Sequence, residues 1–509
     1  MREIGEKVAQ LIMPRLDGSR INTDNDYFSQ STSLIDAGIG GFILFGGSMP
    51  ETPYTIGRLQ ERAKAPLLIT SDIERGLGQQ LEGGTRFPNQ WAVAEAIGRE
   101  NPDDISLLHK MLNIVREECT AAGIHAVFSP VADVNSNPGN PIICTRSFGE
   151  EPKRVSWFVK EYVKGLQGNF FNPPQSPLNL RGEERGVISC AKHFPGHGDT
   201  AVDSHTSLPV ISADKKRLEI IELPPFKAAI EAGVGMVMVG HLCVPALESE
   251  PVPATFSKRI VTDILRGEMG FKGLVVTDAL DMGALKTLCD EGETGVRALA
   301  AGCDILLHPS EPLKMVEAVV KAVGDGRLPP ERVEDAFNRV MEVKRRFHIG
   351  AYSNTPLPAD AGNIQIAERI AKKSIRFRKV GRLSSSENVV CLVIDDDGNG
   401  SMANPFLNAM KERFPNIRIA SSPSEIADGE TVVVPLFSKV SAWKGSSGLS
   451  KDSLEKAKSA IVRGGRTVLI SFGSPYILNS FNADVMINAF DPADFMQMAV
   501  VERLAVVPN

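Results

Sequence analysis

The densest run of chemistry-bearing side chains in the 509-residue chain reads Cys190-Ala191-Lys192-His193-Phe194-Pro195-Gly196-His197-Gly198-Asp199-Thr200, followed by Ala201-Val202-Asp203-Ser204-His205. Three histidines, two aspartates and a lysine within 16 residues could move protons, stabilise charge or hold a metal. His193 and His197 are four apart, a spacing that brings two imidazoles together on a helix. Pro195 and Gly196 between them oppose a helix, which leaves only a loop-borne metal site as that alternative. Read as a loop, the glycines let the backbone turn sharply out of a strand. Lys192 and His193 then sit at the strand end, with Asp203 and His205 on a loop above it.

The elements that must position these residues are visible in the first 310 positions. Short apolar runs lie at 11–14, 42–45, 67–70, 126–129, 187–190, 236–239, 274–277 and 305–307, each followed by a turn signal and a stretch of helical spacing. Helical segments at 106–122, 225–231 and 258–269 fit parallel strands joined by crossovers. Eight such units predict an α/β fold, a (β/α)8 TIM-like barrel, whose active site gathers at the C-terminal ends of the strands. Asp72 follows the third run, Asp133 the fourth, Lys192 and His193 the fifth, His241 the sixth, Asp278 the seventh and His308 the eighth. A blander reading is that the chain simply turns polar where it leaves the core, and it weighs most on His308 taken alone. Asp281 reads as a helix cap or loop residue.

Helical spacing resumes at 331–347, the expected closing helix of the barrel. A linker composition follows at 349–362, with Gly350, Pro356, Pro358 and Gly362. New apolar runs at 389–394, 431–436, 467–471 and 485–489, separated by helical stretches at 405–414 and 454–462, predict a smaller three-layer α/β sandwich. The expected division is a catalytic barrel at 1–348, a linker and connecting helix at 349–375, and the second domain at 376–509. The segment 170–184 reads as an insertion loop. No Gly-x-Gly-x-x-Gly opens a helix after a strand in the second domain, which argues against a nucleotide site there.

A net charge of -6 supplies no basic field for nucleic acid, and no apolar run reaches the about 18–20 residues that span a bilayer. The seven cysteines are dispersed without Cys-x-x-Cys spacing, and the N-terminal residues lack a signal-peptide pattern. The expected setting is the cytoplasm, with no nucleic-acid or membrane partner.

The string Lys192 to Thr200 with Asp203-Ser204-His205 resembles the signature of the β-N-acetylhexosaminidases of glycoside hydrolase family 3. Further pieces agree in order: Asp72-Ile73-Glu74-Arg75-Gly76, Thr85-Arg86-Phe87-Pro88, Pro130-Val131-Ala132-Asp133-Val134-Asn135, Asn140-Pro141-Ile142-Ile143, Arg146-Ser147-Phe148-Gly149 and Val276-Thr277-Asp278-Ala279-Leu280. The resemblance implies a retaining glycosidase with Asp278 as nucleophile and His205, partnered by Asp203, as acid/base. It also implies sugar contacts by Asp72, Arg146, Lys192, His193 and His241, and Asp133, at the end of the fourth run, is expected to bind substrate with them. Where many relatives carry an arginine, this chain has Leu77, which bears on the aglycone or outer-hydroxyl contacts. The substrates so implied are N-acetylglucosaminyl fragments of muropeptides or chitin, consumed without metal or organic cofactor. Ser471-Phe472-Gly473-Ser474-Pro475-Tyr476 resembles the second domain of longer members.

The chemistry is consistent on its own terms. A carboxylate at a strand end near Lys192 and Arg146 should stay ionised and able to attack an anomeric carbon. An imidazole with an ordinary pKa of about 6.5 and a carboxylate partner can give a proton in one step and take one in the next. A carboxylate base would repel an incoming phosphate dianion, whereas a neutral imidazole would not. A phosphorylase using inorganic phosphate is therefore the first rival reading. A β-glucosidase of the same family and an inactive sugar-binding protein are the others.

Overall fold

The computed structural model describes residues 1–168, 186–200, 208–350, 361–398, 400–440 and 445–505. Asp203, His205, the expected insertion loop at 170–184 and the linker residues 351–360 lie outside the described residues.

Two compact units emerge: one of Met1–Arg86, His109–Ser136 and Glu150–Asp360, the other of Phe87–Leu108, Asn137–Gly149 and Ala361–Asn509. In the first, parallel strands follow one another around a barrel. They are β1 (Ile12–Met13 and Arg15–Asp17), β2 (Gly41–Phe45), β3 (Leu68–Ser71), β4 (Ala126–Val127), β5 (Ile188–Phe194), β6 (Met236–Val239), β7 (Leu274–Thr277) and β8 (Leu306–Leu307). Pro14 splits β1 because it has no N–H to give, while its carbonyl accepts from Ile43 at 2.9 Å. The ring closes where Ile12–Met13 pairs with β8 and Thr277 N–H donates to the Ile305 carbonyl at 3.1 Å.

All eight apolar runs become strands. Strands such as β6 and β7 are buried along their whole length, because helices cover one face and the barrel interior the other. That is why they read as continuous apolar runs rather than alternating ones. The hydroxyls among them are paired: Ser71 donates to Leu44 O at 2.7 Å and Ser189 to Ser129 O at 2.7 Å. Proline at the first turn starts the helices Pro152–Gln167, Pro224–Glu231, Pro312–Gly324 and Pro330–Arg346, where the missing N–H costs nothing. The helix expected at 258–269 is a π-helix over Arg259–Glu268. Below β8, the fully buried Asp304 carboxylate accepts from Arg266, from Arg332 and Arg339 at 3.0 Å each, and from the Val275 N–H at 2.9 Å. It ties the closing helix Pro330–Arg346 to the barrel floor.

The second unit holds a sheet in the order 376–379, 485–488, 466–471, 431–437, 389–392, 417–420, with 394–395 also pairing with 431–437. It is parallel except for the antiparallel Arg376–Lys379. Val389, Cys391, Val433, Val468 and Ile487 join one apolar cluster, whereas Val390, Leu392, Val432, Val434 and Leu469 join another. Alternate residues of the same strands thus feed two cores, which defines a three-layer sandwich. The unit also takes in 87–108 and 137–149, unlike the single cut expected after the barrel. The reason is packing. Trp91 stacks on Phe490 at 6.3 Å and meets Tyr476 edge-on at 5.9 Å, and Asn89 donates to Phe490 O at 2.6 Å.

Candidate active site

The polar residues of the first unit converge at the C-terminal ends of its strands, as barrel geometry requires. Lys192 and His193 are the last polar residues of β5, and their connecting peptide bond is cis, as is Phe194–Pro195. Lys192 is buried, and its Nζ lies 2.6 Å from Asp72 Oδ1 and 2.8 Å from Glu74 Oε1, both presented by the loop leaving β3. Two carboxylates on one ammonium offset the cost of burying the charge and fix the direction of its donors. Asp72 keeps a third of its side chain exposed, so it can face a ligand.

Asp133, after β4, is fully buried. Its Oδ2 lies 2.7 Å from His193 Nδ1, and its oxygens accept the backbone N–H of His193 at 3.1 and 3.2 Å and that of His197 at 2.6 Å. A sugar could reach this carboxylate only by displacing those bonds. Its place is behind His193, which it orients with the proton on Nδ1 and Nε2 turned away. Gly198 passes so close to Val134 that a Cβ would lie 1.6 Å from its carbonyl oxygen, so only glycine fits there. His197 is buried, its Nδ1 lies 2.7 Å from the Thr200 hydroxyl, and burial lowers its pKa to about 4. It is neutral at neutral pH and belongs to the frame of the loop.

Asp278 follows β7 and is half-buried. Its backbone N–H donates to Val239 O at 3.0 Å, and its Oδ1 accepts from Ala279 N–H at 2.8 Å. Burial pushes its pKa up, but His193, His241, the Ala279 N–H and Lys192 together outweigh burial and hold it below the ordinary carboxylate range. It is ionised at neutral pH. His241, after β6, contacts Ala279 O through Nε2 at 3.1 Å and the Thr255 hydroxyl through Nδ1 at 2.7 Å. Since a carbonyl only accepts, Nε2 carries the proton, and the Thr255 hydroxyl donates to Nδ1 of a neutral ring. Burial, which lowers the pKa of His241, agrees with that.

Of the residues singled out from the sequence, Asp72, Asp133, Lys192, His193, His241 and Asp278 share this mouth. Arg146 belongs to the second unit, on the short turn Cys144–Arg146, where its Nη1 donates to Ile142 O at 3.1 Å. Leu77 is buried in a turn after β3. Glu74 is a further residue of this site, and its place two residues after Asp72 is the signal for it in the sequence. The contact of His308 Nδ1 with Asp281 Oδ1 at 3.0 Å, an ion-pair approach without hydrogen-bond alignment, has no such signal. Among the described residues no group of three or more His, Cys, Asp or Glu is placed to hold a metal ion, and no helix is long and apolar enough to cross a membrane.

Beside the loop, Arg217 links Asp199 at 2.6 Å to Glu222 at 3.5 Å. Burial raises the Glu222 pKa to about 7, with Arg217 opposing it. A carboxyl whose folded pKa lies above its unfolded value binds more protons when folded between the two values, so stability falls as pH rises from 4.5 to 7 and is then level. Glu222→Gln should therefore match the wild type near pH 4.5 and exceed it above pH 7 by on the order of 2 kcal/mol. Denaturant melts at the two pH values check this, and an equal difference at both would refute it.

Residues 3–343 match the family described as Glycosyl hydrolase family 3 N terminal domain. Over 359 residues the chain is 32% identical to Beta-hexosaminidase A of Pseudoalteromonas piscicida, covering 65% of this chain and 55% of that protein. Over 390 residues it is 27% identical to a Beta-N-acetylglucosaminidase/beta-glucosidase of Cellulomonas fimi, covering 75% and 62% respectively. The chain thus aligns with 55% and 62% of the lengths of these two relatives. The solved glycoside hydrolase family 3 beta-N-acetylglucosaminidase from Paenibacillus sp. str. FPU-7 superposes with a TM-score of 0.81 at 26% identity, over 98% of this chain and 96% of that one. With a barrel that carries its ionised aspartate at the end of β7, and a match spanning that entire barrel, the chain belongs to glycoside hydrolase family 3.

Proposed function

We propose that the protein is a retaining β-N-acetylglucosaminidase that releases terminal β-linked N-acetylglucosamine through a glycosyl-Asp278 intermediate. The observation that carries this reading is the ionised, half-buried Asp278 ringed by His193, His241 and Lys192. The named activities of the relatives support the amino-sugar substrate. In the first step an Asp278 oxygen bonds to the anomeric carbon, the glycosidic C–O bond breaks, and His205 gives its proton to the departing oxygen. Water then bonds to the same carbon, gives its proton to His205, and the carboxylate leaves. Asp203 orients and charges the imidazole, while Lys192, Asp72 and His193 hold the sugar hydroxyls. The cytoplasm is the proposed location and muropeptide or chitin fragments the proposed substrates, in keeping with seven free thiols.

Product analysis tests the reading. N-acetylglucosaminyl-anhydromuramic acid and chitobiose are each incubated with and without phosphate, and the expected product is free N-acetylglucosamine in both media. Turnover that needs phosphate and releases sugar 1-phosphate would make the protein a phosphorylase. Preference for glucosides would make it a β-glucosidase.

A further inference from the structure

The residues that hold Asp278 occupy the arc of the barrel rim from β3 to β7. The remaining arc carries a second cluster. Phe45 ends β2, and its ring lies 5.1 Å from the Arg15 guanidinium of β1 and meets the His308 imidazole edge-on at 6.0 Å. His308 follows β8 and approaches Asp281, three residues past Asp278, at 3.0 Å. Asp281 is close enough to act on His241 electrostatically, which places the cluster on the same mouth as Asp278.

Three features set these side chains apart from structural ones. His308 has φ +54°, a left-handed conformation that a bulky side chain adopts at a cost, and its N–H is pinned to Met13 O at 2.8 Å. Arg15 keeps 52% of its side chain exposed, and of its five donors only one has a described polar contact, Asp17 at 3.5 Å. Asp281 is 37% exposed and brings a carboxylate oxygen to 3.0 Å from the His308 imidazole. Donors and an aromatic edge thus line a part of the rim that the residues around Asp278 leave unused.

We propose that Arg15, Phe45 and His308, with Asp281 positioning the imidazole, form the subsite for the leaving-group sugar and bind its acceptor oxygens, whether hydroxyl or carboxylate. This rests on the proposed glycosidase reading and adds the residues that select the group on the far side of the scissile bond. The Arg15 guanidinium, 5.1 Å from the Phe45 ring, supplies N–H donors, and the His308 imidazole, 6.0 Å from the same ring, supplies a further polar group.

The test compares kcat/KM for a 4-nitrophenyl β-glycoside, which has no second sugar, with that for chitobiose and for N-acetylglucosaminyl-anhydromuramic acid. In His308→Ala and Arg15→Ala the disaccharide-to-aryl ratio should fall by about tenfold, the loss of one hydrogen bond to the second sugar. A fall confined to the muramic substrate identifies a carboxylate as the bound group, and a fall with both identifies the hydroxyls. Ratios within twofold of wild type for both variants and both disaccharides would overturn the proposal, and Arg15→Ala, at an exposed position, keeps the test valid if His308→Ala folds poorly. Should wild type cleave only glucosides, the function reading fails. The subsite is then judged by the same ratio with cellobiose against 4-nitrophenyl β-glucoside.

Discussion

Asp278→Asn should lower kcat by at least about 10³-fold with little change in KM, because the amide keeps the shape of the carboxylate but not its charge or nucleophilicity. The asparagine carbonyl can still accept the Ala279 N–H that Asp278 Oδ1 accepts at 2.8 Å, so the local backbone should hold. A lost charge here also removes the partner that His193, His241 and Lys192 face across the mouth. The thermal midpoint should still move little, since the Ala279 contact that holds the loop is kept. Initial rates on a disaccharide, with a melt as control, check this. Retention of a tenth of the wild-type kcat by a folded variant would remove Asp278 from the role of nucleophile. Following the anomeric signal of the first product adds a second readout, since a double displacement releases the β-anomer first.

The barrel was legible because its strands are buried on both faces and so stand out as uninterrupted apolar runs. The first run reads through Pro14, and the run at 305–307 marks Leu306–Leu307 although that strand is two residues long. In the second unit the strands Arg376–Lys379 and Ile417–Ala420 leave no apolar run in the sequence, one charged and antiparallel, the other a partly exposed edge strand. Neither buries enough side chain to leave a pattern. The membership of 87–108 in that unit was equally hidden, since the Trp91 and Asn89 partners lie some 400 positions away.

In the site, strand-end position was enough to gather Asp72, Lys192, His193, His241 and Asp278. What sequence position could not say is which carboxylate faces the ligand. Asp72 and Asp133 look alike as residues after strands, but only the structure shows one half-open on Lys192 and the other sealed behind His193. The Asp281–His308 approach depends on a positive φ at His308 and on loops from adjacent strands, neither of which leaves a mark in the spacing.

His205→Ala separates acid catalysis from every other role that residue could have. Cleaving a disaccharide expels an alkoxide, a poor leaving group, and a positioned acid contributes about 10²–10⁴-fold to such a step. A 2,4-dinitrophenolate needs almost no protonation. In the variant, kcat/KM for a disaccharide should fall by about 10²-fold or more, while that for the dinitrophenyl glycoside falls by less than about tenfold. The second step suffers differently, since water must attack glycosyl-Asp278 without a base. The dinitrophenyl substrate should then show a burst equal to the enzyme concentration, followed by slow turnover. Equal losses on both substrates would mean that His205 binds sugar or supports the loop without donating the proton. In that event the carboxyl nearest the scissile oxygen becomes the acid to test. Restored turnover of the dinitrophenyl substrate by added azide, with release of the β-glycosyl azide, would place the lost base on the face opposite Asp278, where attack on the intermediate must occur.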